Sequence, residues 1–371
     1  MVEAETRLIS LPALFLPSAL ETNWRTNMEW LESLILGVVQ GITEFLPVSS
    51  DGHLLVTQQF FAWLTGDQRS GQENIFFDVM LHLGTVAAIL MYYRRPIGEG
   101  IRGFIFNKQD VAPGFDRASI MRIVMLAAVA TAPLVPFALF FKKSIDATFE
   151  SDVAAPIGFL ISAAILALVS LKMRGPEGGK ESAQTTWVDA LLIGLAQTLA
   201  PLPGVSRSGM TIAAALALGL SRAWAVRFSL GIAVPAICGA AIYELKGAIK
   251  DPAALGLTPD RIAQTLAAAV IAGIVGYAAI IWLIRVVRAG RLWYFSVYLT
   301  GAAIVVLGLV SASGRSGDES STKALDRTAG GRASESSADD RSGPPLGALD
   351  RADAAGPRSD DPRVGLAVKA R

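Results

Sequence analysis

The stretch Gly37–His53, GVVQGITEFLPVSSDGH, decides the fold, and Gly194–Gly209, GLAQTLAPLPGVSRSG, repeats its pattern 157 positions later. Aligned without gaps, the two stretches share residues at Gly37 and Gly194, Gln40 and Gln197, Val48 and Val205, Ser49 and Ser206, and Gly52 and Gly209. Each copy is an apolar helical run that stops at proline and continues as a small, hydroxyl-rich turn. Two copies at a fixed offset predict one site built from two halves.

The composition indicates a membrane protein. The 371 residues are 52% hydrophobic and only 18% charged, and several segments reach the ~20 apolar residues that a helix needs to cross a bilayer. The formal net charge is +1 and no basic cluster is present, so nucleic acid is not expected as a partner. The single cysteine, Cys238, excludes a disulfide framework within the chain.

In the first half, two short apolar helices flank the polar turn. Leu31–Leu46 is too short to span and ends at Pro47, and His53–Leu64 follows the turn. This pattern predicts a re-entrant helical hairpin, which is tolerated only where protein or a water-filled cavity satisfies the freed backbone groups. Three spans are predicted next, at Ile75–Tyr93, Ser119–Phe141 and Val153–Leu171.

The second half restarts the pattern. Trp187–Leu202 and Gly209–Leu220 flank a break at Pro201 and Pro203, and three more spans are predicted at Ala223–Tyr243, Ile262–Ile284 and Leu292–Val310. An odd number of spans places the second half in the opposite orientation, so the fold class is an all-α polytopic membrane protein with inverted-topology repeats at about 31–173 and 187–311. Kinks are expected at Pro133, Pro136 and Pro235.

The domain prediction has three parts. Residues 1–27 are an N-terminal extension, and Met28 resembles a natural start, so the extension is interpreted as a mis-called or dispensable start. Residues 28–311 form the membrane domain. Residues 312–371 are rich in Ser, Gly, Asp, Arg and Ala with almost no aromatic residues, a composition that predicts disorder.

The distribution of basic residues predicts the orientation. The connecting stretches on one side carry 13 basic residues (Arg94, Arg95, Arg102, Lys108, Arg117, Lys172, Arg174, Lys180, Arg222, Arg227, Arg285, Arg288 and Arg291) and those on the other carry 6 (Arg69, Lys142, Lys143, Lys246, Lys250 and Arg261). The positive-inside rule places the richer side in the cytoplasm, so the first hairpin and both termini face outward.

The first copy of the motif supplies candidate catalytic groups. Gln40 and Glu44 share a helix face, and an ionisable residue at membrane depth is a functional hypothesis by default. Ser49, Ser50 and His53 follow within one turn. A serine, a histidine and a carboxylate are the parts of a hydrolytic site. The alternatives are a hydrated, idle Glu44, a helix-capping Ser49 and a buried, hydrogen-bonded His53.

The second copy supplies candidate anion-binding groups. Ser206, Arg207, Ser208 and Thr211 follow the Pro203-Gly204 dipeptide. The planar guanidinium suits phosphate oxygens, and a helix N-terminus just after it attracts the same anion. The alternative is a salt bridge between Arg207 and Glu44, which would still bring the two halves to one site.

Asp78 and His82 form a further pair four residues apart at the start of a span. They could assist if they face the site, but the favoured interpretation is an idle polar pair. The chain has no Walker A loop, so no ATP-driven step is indicated.

These motifs resemble those of the undecaprenyl-diphosphatase family, bacterial membrane enzymes linked to bacitracin resistance. QGITE resembles the family's Glu/Gln-x-x-x-Glu motif, PVSSDGH its Pro-Val-Ser-Ser-x-Gly-His motif, and PGVSRSGMT its Pro-Gly-x-Ser-Arg-Ser-x-x-Thr motif. All three occur in order, and the similarity extends from about Met28 to Val310.

The resemblance implies a hydrolase of the inner (plasma) membrane that removes the terminal phosphate of undecaprenyl diphosphate at the outer, periplasmic face, for peptidoglycan synthesis. It implies dependence on Mg²⁺ or Ca²⁺, with Gln40 and Glu44 as the metal- or acid/base-bearing pair. It also implies a catalytic group of Glu44, Ser50, His53 and Arg207, and diphosphate binding by Ser49, Ser206, Arg207, Ser208 and Thr211. Gln40 stands where many members have glutamate, and Asp51 adds a carboxylate that could be a second metal ligand. The expected partners are a polyprenyl diphosphate lipid and the bilayer, with a homodimer as a further expectation.

The attacking group stays open at this point. Ser50 could be the nucleophile with His53 as its base, or Glu44 could activate water while His53 attacks or protonates the leaving group. A transporter or flippase of a lipid-linked phosphate is the main alternative function, because inverted repeats with broken helices are typical of transporters. A passive scaffold fits poorly with so many buried polar residues.

Overall fold

The computed structural model describes residues 18–65, 75–106, 116–173, 177–248 and 257–311. These residues are helical, apart from short turns, a 3₁₀ turn at Ser182–Gln184 and an isolated bridge between Lys180 and Leu220. The helices are α1 Ser18–Thr43, α2 Ser50–Thr65, α3 Ile75–Tyr92, α4 Arg94–Phe106, α5 Arg117–Thr131, α6 Leu134–Phe140, α7 Lys142–Phe149, α8 Ala154–Lys172, α9 Trp187–Gln197, α10 Arg207–Ala217, α11 Arg222–Ala248, α12 Pro259–Arg288 and α13 Trp293–Ser311.

Within these described ranges, six helical segments are long and apolar enough to cross a membrane: Ile75–Tyr92, Arg117–Phe140, Ala154–Lys172, Arg222–Lys246, Pro259–Arg288 and Trp293–Ser311. Each overlaps one of the six predicted spans. The prediction of an all-helical, polytopic membrane protein is therefore confirmed.

The first helix is longer than predicted. It begins at Ser18, and no glycine or proline occurs between Ser18 and Leu31. The helix therefore includes these mostly polar residues as well as the predicted apolar run. It runs through Met28 without a break and ends at Thr43, before the predicted end at Leu46. Residues 1–17 and 312–371 lie outside the described residues, so the dispensable start and the disordered tail stay predictions.

Proline acts differently in two of the spans. The predicted span Ser119–Phe141 is divided into α5 and α6 at Pro133, which has no amide hydrogen to continue the hydrogen-bond ladder. Pro235 instead lies inside α11, which continues through it.

Two helices occupy stretches that were predicted to be connections. In α4, the isoleucines Ile97, Ile101 and Ile105 recur every four residues and are 38%, 53% and 64% exposed, so they form one apolar face. The short helix α7 follows Phe141 and carries the buried Ile145.

The paired glycines of the two motif copies permit close helix packing. A Cβ added to Gly37 would lie 2.6 Å from the carbonyl oxygen of Ala268 in α12, and one added to Gly194 would overlap the backbone of Ala130 in α5. Small residues that let backbones approach are typical of helix contacts in membranes. The first glycine of each copy therefore fixes its helix against a neighbouring span.

Candidate active site

Glu44 lies at the centre of the site, immediately after the last residue of α1. Its side chain is buried, and both carboxylate oxygens are engaged. The Arg207 guanidinium donates to Oε1 at 2.5 Å, whereas the Gln40 amide and the Ser50 hydroxyl donate to Oε2 at 3.0 and 2.8 Å. The salt bridge between Arg207 and Glu44 thus forms, and it joins the two halves of the chain at one site. Both the anion-binding and the salt-bridge interpretation of Arg207 predicted such a shared site.

Helix α10 presents Arg207 at its first residue. Ser206 is the N-cap, with extended backbone angles (φ −81°, ψ 116°), and its hydroxyl accepts from the Gly209 amide at 3.1 Å. The Ser208 hydroxyl donates at 2.9 Å to the carbonyl oxygen of Leu46. Leu46 lies in the first helix break, residues 44–49 between α1 and α2; the second break is residues 198–206 between α9 and α10. These contacts hold the start of α10 against the segment that follows α1. The backbone positions of Arg207 and Glu44 relative to each other are therefore fixed.

Thr211, a predicted substrate-binding residue, lies one turn into α10. Its hydroxyl donates to the carbonyl oxygen of Arg207 at 2.9 Å and lies 2.6 Å from the hydroxyl of Ser229 in α11. The side chain is buried and does not line the cavity described below. It therefore supports Arg207 from within the helix bundle.

A cavity of about 460 Å³ opens beside this cluster. Its polar lining residues come from both breaks and from α2, α3, α10 and α11, and include Glu44, Ser49, Ser50, Asp51, Asp78, His82, Ser206, Arg207, Ser208 and Glu244. Its apolar lining residues include Leu54, Leu55, Leu134, Ile145, Phe149 and Ile237. A cavity lined by both charged and apolar side chains suits a ligand that has an anionic group and a hydrocarbon chain.

Ser49 has a backbone conformation unusual for a residue with a side chain. Its φ is +68°, and among the described residues it is the only non-glycine with a positive φ. Such a conformation costs roughly 1–3 kcal/mol and persists only where the surroundings impose it. The Ser49 hydroxyl accepts a long hydrogen bond from the Gly52 amide at 3.4 Å, in agreement with the capping alternative.

His53 is placed apart from the cavity. Its Nδ1 lies 2.7 Å from the carbonyl oxygen of Ser49, and its Nε2 lies 2.8 Å from the hydroxyl of Tyr298. The imidazole packs against the Phe159 and Tyr298 rings, with centroid distances of 4.9 and 5.6 Å. The structure thus brings Ser50 to Glu44 and gives His53 other partners, so a direct Ser50–His53 pair is not formed.

His82 lies in the cavity instead. Its Nε2 is 3.6 Å from Glu44 Oε2 and 4.0 Å from Asp51 Oδ1, and its Nδ1 is 2.8 Å from the carbonyl oxygen of Asp78. Asp78 and His82 both line the cavity, which is the position in which the pair could assist. The signal for this position in the sequence is an ionisable pair inside a predicted span.

The predicted metal-bearing pair, Gln40 and Glu44, offers oxygen ligands but no complete cage. Among the described residues, no three His, Cys, Asp or Glu side chains gather with metal-binding geometry. Gln40 Oε1 is buried without a hydrogen-bond partner, whereas the amide nitrogen of the same side chain donates to Glu44. Mg²⁺ is usually held by one or two carboxylates plus substrate phosphates, so this donor set fits a cation that the protein binds together with its substrate.

The fold and the site define a polytopic, all-helical membrane protein whose buried polar centre joins a carboxylate, a serine and an arginine from two similar helix breaks. Residues 33–305 match the family model described as Bacitracin resistance protein BacA, and the chain belongs to this family. The resemblance seen in the three motifs is therefore confirmed.

Relatives from three bacteria agree with this assignment, and each is named undecaprenyl-diphosphatase. The protein of Desulfatibacillum aliphaticivorans is 38% identical over 293 residues, covering 76% of this chain and 100% of the relative. That of Carboxydothermus hydrogenoformans is 35% identical over 287 residues, covering 77% and 99%. That of Mycolicibacterium smegmatis is 35% identical over 283 residues, covering 76% and 97%.

Proposed function

We propose that this chain is an undecaprenyl-diphosphatase, which hydrolyses undecaprenyl diphosphate to undecaprenyl phosphate and inorganic phosphate and so recycles the lipid carrier for cell-wall synthesis. Membership of the family and the names of relatives that align over nearly their whole length support this function. The observation that carries the proposal is the hydrogen bond from Ser50 to Glu44, which is itself paired with Arg207.

Arg207 and the N-terminus of α10 bind the diphosphate. The guanidinium can donate to two phosphate oxygens at once, and the free amides of a helix start attract the same anion. Ser206 and Ser208, whose hydroxyls lie 3.2 Å apart at this start, line the cavity beside Arg207. Phosphoryl transfer depends mainly on positioning and charge neutralisation, which these groups supply. The lipid chain contacts the apolar residues that line the cavity.

Ser50 is the nucleophile and Glu44 its base. Glu44 takes the hydroxyl proton, the Ser50 oxygen bonds to the terminal phosphorus, and the bridging P–O bond breaks with its electron pair leaving on undecaprenyl phosphate. Water then hydrolyses the phosphoserine, which releases inorganic phosphate and regenerates Ser50. The geometry supports Glu44 over His53 as the base, because Ser50 donates to Glu44 at 2.8 Å. The competing route, attack by a water that Glu44 activates, needs no bond to Ser50.

A divalent cation, Mg²⁺ or Ca²⁺, is part of the proposal, held by Gln40 and Glu44 together with the substrate. When bound, it neutralises charge on the phosphate oxygens. The unpartnered Gln40 Oε1 supports this role, since oxygen is the ligand type that both cations prefer.

Two arrangements in the membrane complete the proposal. The pairs α1–α2 and α9–α10 are re-entrant hairpins of two inverted repeats, supported by the 157-residue offset and by their contact at Glu44 and Arg207. The site opens to the periplasmic face of the inner membrane, supported by the uneven distribution of basic residues. The homodimer stays a prediction.

Labelling of single cysteines tests the orientation. In a Cys238→Ser background, Lys143→Cys should react with a membrane-impermeant maleimide added to intact cells, and Arg102→Cys should react only after the cells are lysed. The opposite pattern would reverse the proposed orientation without affecting the proposed reaction.

Phosphate release by the purified full chain in detergent tests the function. We expect release from undecaprenyl diphosphate in Mg²⁺ or Ca²⁺, loss of release in a chelator, and loss in both Glu44→Ala and Arg207→Ala. Glu177→Ala is the matched control, because Glu177 is a carboxylate that pairs with Arg288 away from the cavity. A folded wild type that releases no phosphate in either cation would contradict the proposal and favour transport of a lipid-linked phosphate.

A further inference from the structure

The hydrogen bonds of His53 define its protonation pattern. A backbone carbonyl only accepts hydrogen bonds, so Nδ1, 2.7 Å from the Ser49 oxygen, carries the hydrogen. Nε2 is then free to accept the hydroxyl hydrogen of Tyr298, 2.8 Å away. Both nitrogens of a neutral imidazole are satisfied in this way, and neither is available to Ser50.

The carbonyl that His53 holds belongs to the strained residue of the site. Ser49 has a φ of +68° and immediately precedes Ser50, the first residue of α2. The orientation of the Ser49 peptide therefore sets the direction in which the Ser50 hydroxyl leaves the helix start. That hydroxyl meets Glu44 Oε2 at 2.8 Å.

Tyr298 connects this turn to the last span. It lies in α13, 245 residues from His53 along the chain, and the two rings are stacked with an interplanar angle of 12°. Phe159 of α8 packs on the same imidazole at 4.9 Å between centroids. The His53 ring thus contacts two aromatic side chains, from α8 and α13, and its Nδ1 is directed at the Ser49 carbonyl.

We propose that Tyr298 and His53 are positioning residues for the phosphatase reaction: the Tyr298 hydroxyl fixes the imidazole, whose Nδ1–H holds the Ser49 carbonyl and thereby aligns the Ser50 hydroxyl with Glu44. This inference rests on the proposed function, but it assigns His53 a role other than that of proton carrier. Tyr298 lies outside all three sequence motifs, and the tertiary contact alone connects it to the site.

Replacement of His53 by asparagine separates positioning from proton transfer. The asparagine amide nitrogen occupies nearly the place of imidazole Nδ1 and can donate to the Ser49 carbonyl, but an amide does not exchange protons as a base does. We expect kcat for phosphate release to fall about a hundredfold in His53→Ala, since small misplacements of reacting groups have effects of this order, and by less than about tenfold in His53→Asn. Equal loss in both variants would overturn the proposal.

Replacement of the tyrosine hydroxyl tests the second link. Tyr298→Phe should lower kcat by about threefold to tenfold with KM unchanged, the effect expected for one lost hydrogen bond that acts through geometry. In the double variant with His53→Ala, the loss should equal that of His53→Ala alone to within about twofold, because the two residues act as one unit. Tyr294→Phe, on the same helix, is the control and should behave as the wild type. If Tyr298→Phe raised kcat, freeing Nε2 would have activated a base, and the proposal would be wrong.

Hydrogen–deuterium exchange gives a readout that needs no activity. Amides of the turn at 49–53 should exchange faster in Tyr298→Phe and His53→Ala than in the wild type or Tyr294→Phe, and His53→Asn should restore slow exchange. Unchanged exchange in Tyr298→Phe would overturn the positioning role even if phosphate release fell as expected. If the variants show this exchange pattern but the wild type releases no phosphate, the proposed function alone would be contradicted.

Discussion

The two helix breaks have the same sequence plan but carry different chemistry. Ser50 and Arg207 occupy equivalent positions, 157 residues apart, and each donates to one oxygen of the same carboxylate. The position equivalent to Glu44 is Pro201, so the second break carries no acid of its own there. The two breaks share one sequence pattern but supply complementary groups: the first supplies the carboxylate and the hydroxyl, and the second supplies the guanidinium of Arg207.

Backbone conformation separates the two breaks in the same way. The equivalent caps Ser49 and Ser206 have φ values of +68° and −81°, and in the second break the positive φ falls on Gly204, at +83°. Glycine adopts that conformation without the cost that a side chain adds. Strain is therefore kept in the half that holds the proposed nucleophile, and the half that holds Arg207 is relaxed.

The largest difference should appear between the hydroxyls of Ser50 and Ser208. Ser50→Ala should lower kcat by about 10⁴-fold or more, because removal of a covalent nucleophile removes most of the catalytic effect. Ser208→Ala should retain activity to within about tenfold, since its hydroxyl donates to the Leu46 carbonyl. Single-turnover phosphate release measures both. Near-normal turnover of Ser50→Ala would exclude the serine route and leave attack by water.

Arg207→Lys tests whether the second half needs the planar fork or only the charge. We expect a loss of about a hundredfold in kcat/KM, because lysine keeps the charge but cannot donate to two oxygens in a fixed plane. Retention of full activity would reduce Arg207 to a simple counter-ion of Glu44. The control is Arg122→Lys, whose guanidinium donates to the carbonyl oxygens of Ser182 and Thr185 away from the cavity.

The paired glutamines should differ by a smaller amount. Gln40 donates to Glu44 at 3.0 Å, but its counterpart Gln197 makes only a 3.4 Å contact with the carbonyl oxygen of Ala130. Gln40→Ala should lower kcat by about tenfold and raise the Mg²⁺ concentration needed for half-maximal rate, whereas Gln197→Ala should change neither. Identical effects of both substitutions would indicate a packing role shared by the two halves.

The smallest difference concerns the stability of the two caps. Ser206→Ala should lower the free energy of unfolding by about 1 kcal/mol, because the Gly209 amide loses its acceptor. Ser49→Gly should change it by less than about 0.5 kcal/mol, since glycine relieves the positive φ while it loses the weak cap. Denaturant titration in detergent measures both. A clear loss of stability in Ser49→Gly would show that the strain at this turn is small.

The sequence alone determined the helical membrane class, the six spans and the two breaks. These features depend on local properties: long apolar runs, and prolines at 47, 201 and 203 that cannot continue a helix. The meeting of Glu44 and Arg207 was also predictable, because two copies of one pattern at a fixed offset indicated a shared site. Apolar runs, proline positions and a repeated motif can be read directly from the sequence, so the features that depend on them can be predicted.

Only the tertiary structure decided which side chains share the site. Ser50 has Glu44 rather than His53 as its partner, although all three lie within ten residues, because the turn at Ser49 directs the hydroxyl toward the end of α1. The bond between His53 and Tyr298 joins residues 245 positions apart. Such contacts depend on how helices pack and which rotamers fit between them, and neither is encoded in the spacing of a motif.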